Sequence, residues 1–256
     1  MKFFDSHSHL NFPQYDKDRD EVIERMRGAG VETICVGTSL ETSRESVRLA
    51  EAHADIWATV GVHPTDTDSG FDEQAFEDLL SHSRVVAVGE CGLDYFRITN
   101  QESQIKQKEA FKKQIGLAQK HNLPLMIHCR PSAGSQDAYL DLIGILRGHT
   151  GLRGTVHFFV GNQNIAQTFL DMDFYLSFAG PVTFTDEYDT VITLAPLERI
   201  LIETDAPFAA PAPYRGGRNE PAYVTEVATK IAQVKDTPLA VVMAQTAANV
   251  RTLFAL

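Results

Sequence analysis

The chain has little sulfur and no excess of positive charge. Its three cysteines, Cys35, Cys91 and Cys129, are odd in number, widely spaced and free of any C-x-x-C pattern, which excludes a disulfide scaffold and points to a reducing compartment. No apolar run reaches the length of a membrane helix, and no leader-like apolar segment precedes the first strand-like stretch. The expected location is therefore cytoplasmic, with no membrane partner and no obligate protein partner. Lysine and arginine number 23 against 34 acidic residues, a formal charge of −11. An acidic chain of this kind is no general polyanion binder, so any nucleic-acid contact must rest on a local basic patch or on bound cations. A glycine-rich phosphate loop after the first strand is also missing, which argues against an open dinucleotide-binding sheet. What remains is 256 residues with 43% apolar and 22% charged content, enough for an ordinary core in one large domain.

The chain alternates short apolar, β-branched stretches with helical patterns. Strand-like segments fall at residues 3–9, 33–37, 56–61, 85–89, 125–128, 154–159, 174–178 and 201–204. Helical patterns fall at 18–30, 40–54, 72–83, 102–121, 137–146, 162–171, 221–234 and 238–253, and 206–218 is a loop rich in proline and glycine. Strands apolar on both faces suit a parallel sheet covered by helices. Eight such units predict an α/β fold, a TIM (β/α)8 barrel forming a single domain over residues 1–256.

The first strand, Phe3-Phe4-Asp5-Ser6-His7-Ser8-His9, sets the functional reading. Residues two apart on a strand face the same way, so His7 and His9 project together, as half of a metal site would require. Barrel chemistry sits at the C-terminal ends of strands. His63, Glu90, His128, His157 and Asp205 all fall at such ends, so the candidates share one rim. Several imidazoles with two carboxylates suit two ions sharing a carboxylate. Glu90 is the natural bridge, and Asp205 can touch one ion and the attacking water. His63 precedes a proline and is either a turn residue or a substrate contact. Asp94 and Arg97 form either a surface ion pair or a substrate contact. The loop at 211–218, with Arg215 and Arg218, is either a phosphate site or a surface Ω-loop. His53, His82, His121 and His149 lie at helix ends or in loops away from that rim.

With these residues in place the chain resembles the TatD family of metal-dependent hydrolases, in the amidohydrolase superfamily. The matching motifs are Asp5-Ser6-His7-Ser8-His9, Val60-Gly61-Val62-His63-Pro64, Gly89-Glu90-Cys91-Gly92-Leu93-Asp94, Met126-Ile127-His128-Cys129-Arg130, Val156-His157 and Glu203-Thr204-Asp205-Ala206-Pro207, followed by the 213–221 loop. The resemblance spans nearly the whole chain. It implies a TIM barrel and two divalent ions on His7, His9, Glu90, His128, His157 and Asp205; a mixed imidazole–carboxylate donor set accepts Zn, Mn, Ni or Mg. It also implies deoxyribonuclease activity, 3′–5′ on single-stranded ends, with DNA as the partner. In that reading Asp205 and Glu90 are catalytic. Arg130 neutralises phosphate charge, and His63, Arg215 and Arg218 are further substrate contacts. Two alternatives share or lack the chemistry. One is an ester or amide hydrolase, such as a small-molecule amidase or an aminoacyl-tRNA deacylase, and the other an inactive metal-binding protein. Convergence of Arg130, Arg215 and Arg218 on the metals would favour phosphate. In place of the family's usual Cys-Phe-Ser/Thr-Gly after the histidine, this chain has Phe158-Phe159-Val160-Gly161. Two polar neighbours thus become apolar beside the site.

Overall fold

The structure, a computed structural model, describes residues 2–69 and 71–256. Eight parallel strands form one sheet in sequence order: β1 Phe3–Ser8, β2 Val31–Val36, β3 Ile56–Val60, β4 Val85–Asp94, β5 Leu125–Arg130, β6 Gly154–Val156, β7 Tyr175–Phe178 and β8 Ile200–Ile202. Between and after them run α1 Arg19–Gly28, α2 Leu40–Ala52, α3 Glu73–Leu80, α4 Gln101–His121, α5 Asp137–Arg147, α6 Gln163–Asp171, α7 Asp189–Leu194, α8 Val224–Val234 and α9 Leu239–Phe254. The sheet closes on itself just beyond β8. Asp205 N–H donates to His7 O (2.9 Å) and His9 N–H to Ala206 O (2.7 Å). The architecture is the expected TIM barrel, and its seam is stitched by the same segments that carry candidate ligands. No helix among the described residues is long and apolar enough to cross a membrane.

Local chemistry places the helices. Ser39 and Thr42 form a reciprocal capping box at the start of α2, and Asn100 and Asn162 side chains cap α4 and α6. Each satisfies amide groups that the first helical turn leaves unpaired. A large apolar cluster fills the space between strands and helices. A smaller one joins Phe4, Ile34, Val86, Met126 and Leu201, near the N-terminal ends of the strands, to Val250, Leu253 and Phe254 of α9.

Three elements differ from expectation. β4 does not stop at Gly89 but runs on through Asp94, with a register shift against β5 between Val88 and Cys91 and a cis Gly89–Glu90 peptide. Gly89 has φ +154°, and a Cβ there would lie 2.4 Å from Met126 O, so only glycine permits this close approach. β6 ends at Val156, because Phe158 turns into the left-handed region at φ +45°. The short helix α7 occupies a stretch where six residues are too few for a legible helical period.

Candidate metal centre

The strands deliver the rim residues onto one point. His7 lies in β1 and His9 just past it, His63 three residues beyond β3, Glu90 in β4, His128 in β5, His157 directly after β6 and Asp205 beyond β8. His9, His63, Glu90, His128, His157 and Asp205 line a cavity of about 580 Å³, within the usual range for ligand sites. His7 lies beneath, with no exposed surface.

Glu90 stands at the centre, and its two oxygens face different partners. Oε2 lies 3.5 Å from His7 Nε2 and 3.6 Å from His9 Nε2. Oε1 lies 3.0 Å from His128 Nδ1 and 2.9 Å from His157 Nε2. Asp205 Oδ1 completes the first group, 3.6 Å from His7 Nε2 and 3.4 Å from His9 Nε2. The histidines and Glu90 are grouped as metal ligands would be. Tetrahedral ligands at about 2.0–2.2 Å stand roughly 3.3–3.6 Å apart, which the 3.4–3.6 Å contacts of His7 and His9 with Glu90 and Asp205 match, while those about Glu90 Oε1 are closer, at 2.9–3.0 Å.

Protonation makes the same case. His9 Nδ1 is held by Val36 O (3.1 Å), His128 Nε2 by Asp94 Oδ2 (3.2 Å) and His157 Nδ1 by Glu203 Oε1 (3.2 Å). Assigned from these acceptors, each imidazole donates its N–H outward and turns a lone pair toward the Glu90 carboxylate, the arrangement of a metal-ligating histidine. A lone pair facing a carboxylate is satisfied by a cation between the two, either a metal ion or a proton on the ring, and the raised imidazole of His157 shows the pull of that carboxylate on positive charge. His63 differs. Its Nδ1 faces the Thr65 hydroxyl (2.6 Å) and the Thr65 N–H (3.2 Å); assigned with both as donors to Nδ1, the proton sits on Nε2, 3.4 Å from Glu90 Oε1. Distance alone would admit His63 beside Glu90 and His128 in a metal group, but its tautomer makes it an N–H donor at the cavity wall.

Charge follows burial and neighbours. Burial alone would raise the Glu90 carboxyl, but the surrounding imidazoles, His157 foremost, outweigh it and hold it well below the ordinary value. Asp205 is likewise depressed, its burial outweighed by the His9 hydrogen bond and the charges of His7 and His9. Burial pushes His63 down to about 3, so it stays neutral. Burial also lowers His7, whereas in His157 the charges of Glu90 and Glu203 overcome burial and raise the imidazole. Both carboxylates are thus ionised and available as ligands.

A ring of buried acids supports these residues. Glu203 accepts from Phe158 N–H (2.7 Å) and Ser177 Oγ (2.5 Å) as well as facing His157. Asp5 accepts from Thr204 N–H (2.8 Å) and the Thr204 hydroxyl (2.7 Å), tying β1 to the segment that carries Asp205. Neither was assigned a role from the sequence, although for Glu203 an acid directly after the apolar strand β8 was the available signal. Asp94 and Arg97 do form an ion pair (3.3 Å), but its acidic member is fully buried and also bonds His128.

The arginines divide. Arg130 lines the cavity, its guanidinium 4.0 Å from the Phe96 ring, and Arg97 lines it as well. Arg215 and Arg218 are not among the lining residues. Arg218 grips both oxygens of Asp18 (2.7 and 2.6 Å), which neutralises its charge within the fold, and Arg215 lies over Phe184. Of the three arginines whose convergence would favour phosphate, only Arg130 reaches the cavity, so that criterion is met by one residue of three. Phe158 and Val160 do line the cavity.

A family model for TatD related DNase matches residues 4–255. The uncharacterized metal-dependent hydrolase YabD of Bacillus subtilis is 41% identical, over 98% of each chain. The 3′-5′ ssDNA/RNA exonuclease TatD of Klebsiella pneumoniae is 35% identical, over 98% of this chain and 97% of its own. The crystal structure of YjjV, a TatD homolog from Escherichia coli K12, superposes with a TM-score of 0.90 at 27% identity, covering 99% of this chain and 98% of that one.

Proposed function

The chain belongs to the TatD related DNase family, and on that premise we propose that it is a metal-dependent phosphodiesterase removing nucleotides from the 3′ ends of single-stranded DNA. The observation that carries the reading is the split of Glu90, whose two oxygens face two separate imidazole groups. Relatives named as exonucleases and as metal-dependent hydrolases support it.

In this proposal His7, His9, Asp205 and Glu90 would hold one divalent ion, and His128 and His157, with Glu90 shared, would hold a second. When bound, such ions make water a stronger acid and offset negative charge on phosphate oxygens. Asp205, ionised and facing the cavity, takes the proton of the attacking water. His63 donates its Nε2–H to a phosphate oxygen, and Arg130, which lines the same cavity, adds a charged donor. Asp94 and Glu203 keep His128 and His157 in the required tautomer and orientation. A site with so few cationic side chains suits the grip of one terminal diester, which accords with a chain carrying a charge of −11. Residues 1–256 act as one unit in this reading, and the three buried, free thiols suit a cytoplasmic setting.

The test is an assay of the metal-loaded protein against 5′-labelled single-stranded DNA, an aryl phosphodiester and a panel of amides and esters. Stepwise shortening from the 3′ end is the expected result. Turnover confined to amides or carboxylic esters would replace the reading with hydrolysis of those bonds by the same centre.

A further inference from the structure

Phe158 is a bulky residue in the left-handed region, at φ +45°, a conformation that costs energy for any side chain with a Cβ. The surroundings enforce it. Its N–H donates to the buried Glu203 carboxylate at 2.7 Å, directly after the candidate ligand His157. The consequence is a phenyl ring at the cavity wall, with its centroid 6.3 Å from that of His157. Val160 extends this apolar wall. Facing the other group of ligands, Phe12 stacks on His9 at 4.4 Å, and Phe208 sets its edge toward both, at 6.2 Å from His9 and 6.1 Å from Phe12. Each group of candidate metal ligands thus carries an aromatic wall, and both walls line the same cavity. Metal binding and diester hydrolysis need neither wall.

We propose that these walls form a slot for the terminal nucleobase, with Phe158 as the stacking face, so that the substrate is held by its base as well as its phosphate. The inference rests on the nuclease reading for its substrate and adds a recognition element to it. Stacking on a phenyl ring tolerates every base, because every base has a π-face. Such a slot supplies affinity that does not depend on neutralising phosphate charge, which suits a chain with a net charge of −11. It also distinguishes a nucleotide end from a diester without a base.

The experiment compares wild type, Phe158→Ala and Phe158→Tyr, each shown to be folded by its melting temperature. The substrates are two single strands that differ only in whether the terminal nucleotide carries a base. The Phe158→Ala variant should raise KM for the base-bearing end by roughly 5- to 150-fold, the factor one stacked base contributes. It should leave the abasic end within a factor of about two, and Phe158→Tyr should restore the preference. Equal effects of Phe158→Ala on both strands would overturn the slot while leaving the nuclease reading intact. A second readout uses 2-aminopurine deoxyriboside 5′-monophosphate, which has no diester to cut and whose fluorescence falls on stacking. Quenching by wild type and by Phe158→Tyr, but not by Phe158→Ala, supports the slot even if no oligonucleotide is cleaved. In that event only the nuclease reading falls. Absence of quenching by wild type at millimolar protein would overturn the slot.

Discussion

Glu203 holds His157 from behind. Its Oε1 sits 3.2 Å from His157 Nδ1, while the opposite nitrogen of the same ring lies 2.9 Å from Glu90. One imidazole therefore links a buried support to the central carboxylate. Replacing Glu203 with Gln keeps the shape but removes the charge that favours the N–H toward it. Metal affinity should fall by about 10- to 100-fold, the usual effect of losing such a support. Calorimetric titration of metal-free protein with Zn²⁺ or Mn²⁺ measures it, and unchanged affinity would reduce Glu203 to a packing role.

Glu90 faces both groups of histidines, so its removal should empty both together. Chelation should abolish hydrolysis and added divalent metal should restore it. Elemental analysis of Glu90→Ala should find neither ion at stoichiometric level. One ion retained would make Glu90 a terminal ligand of the other.

Asp205 is proposed as both ligand and proton acceptor. Asn keeps one coordinating oxygen but has almost no basicity. Asp205→Asn should retain metal when metal is in excess, while turnover drops by ~10²–10⁴, the range for a positioned general base. Near wild-type turnover on metal-saturated protein would leave Asp205 as a ligand only.

Arg218 anchors the residue that precedes α1, and its substitution should affect stability more than catalysis. The Arg218 hydrogen bond depresses the Asp18 carboxyl, outweighing a small burial effect. A depressed carboxyl stabilises the fold above its unfolded value near ~3.9, and that contribution is lost as pH falls through the lower folded value. The pair is partly exposed, so Arg218→Ala should lower Tm by only about 1–3 °C at neutral pH. The gap from wild type should close below about pH 4, with KM for DNA unchanged. A large rise in KM would return Arg218 to the substrate.

End-gripping limits the number of phosphates held. On single strands each neutralised phosphate contributes roughly −0.7 to the slope of log affinity against log salt. Binding isotherms across a salt series should give a slope of about one to three such contacts. A steeper slope would reveal an extended basic track.

The alternation of apolar stretches with helical patterns, and the recurrence of metal-type side chains at strand ends, carried the barrel and its rim. Both signals are local. A strand's two-residue period decides that His7 and His9 face one way, and the βα unit decides which end of the barrel they reach. What the residues do to one another there is not local. Whether His63 is a ligand or a donor depends on the Thr65 amide that fixes its tautomer. Whether Asp94 meets solvent or His128 depends on β4 continuing past Gly89 beside β5. Arg218 is spoken for by Asp18, 200 residues away in sequence, a pairing that exists only once the chain has closed on itself. Phe158 stands out in the sequence as an apolar neighbour of His157, but its place at the cavity wall follows from a left-handed turn that Glu203, on a different strand's end, holds in place. Side-chain period sets which way a residue points, and barrel closure sets what it meets there.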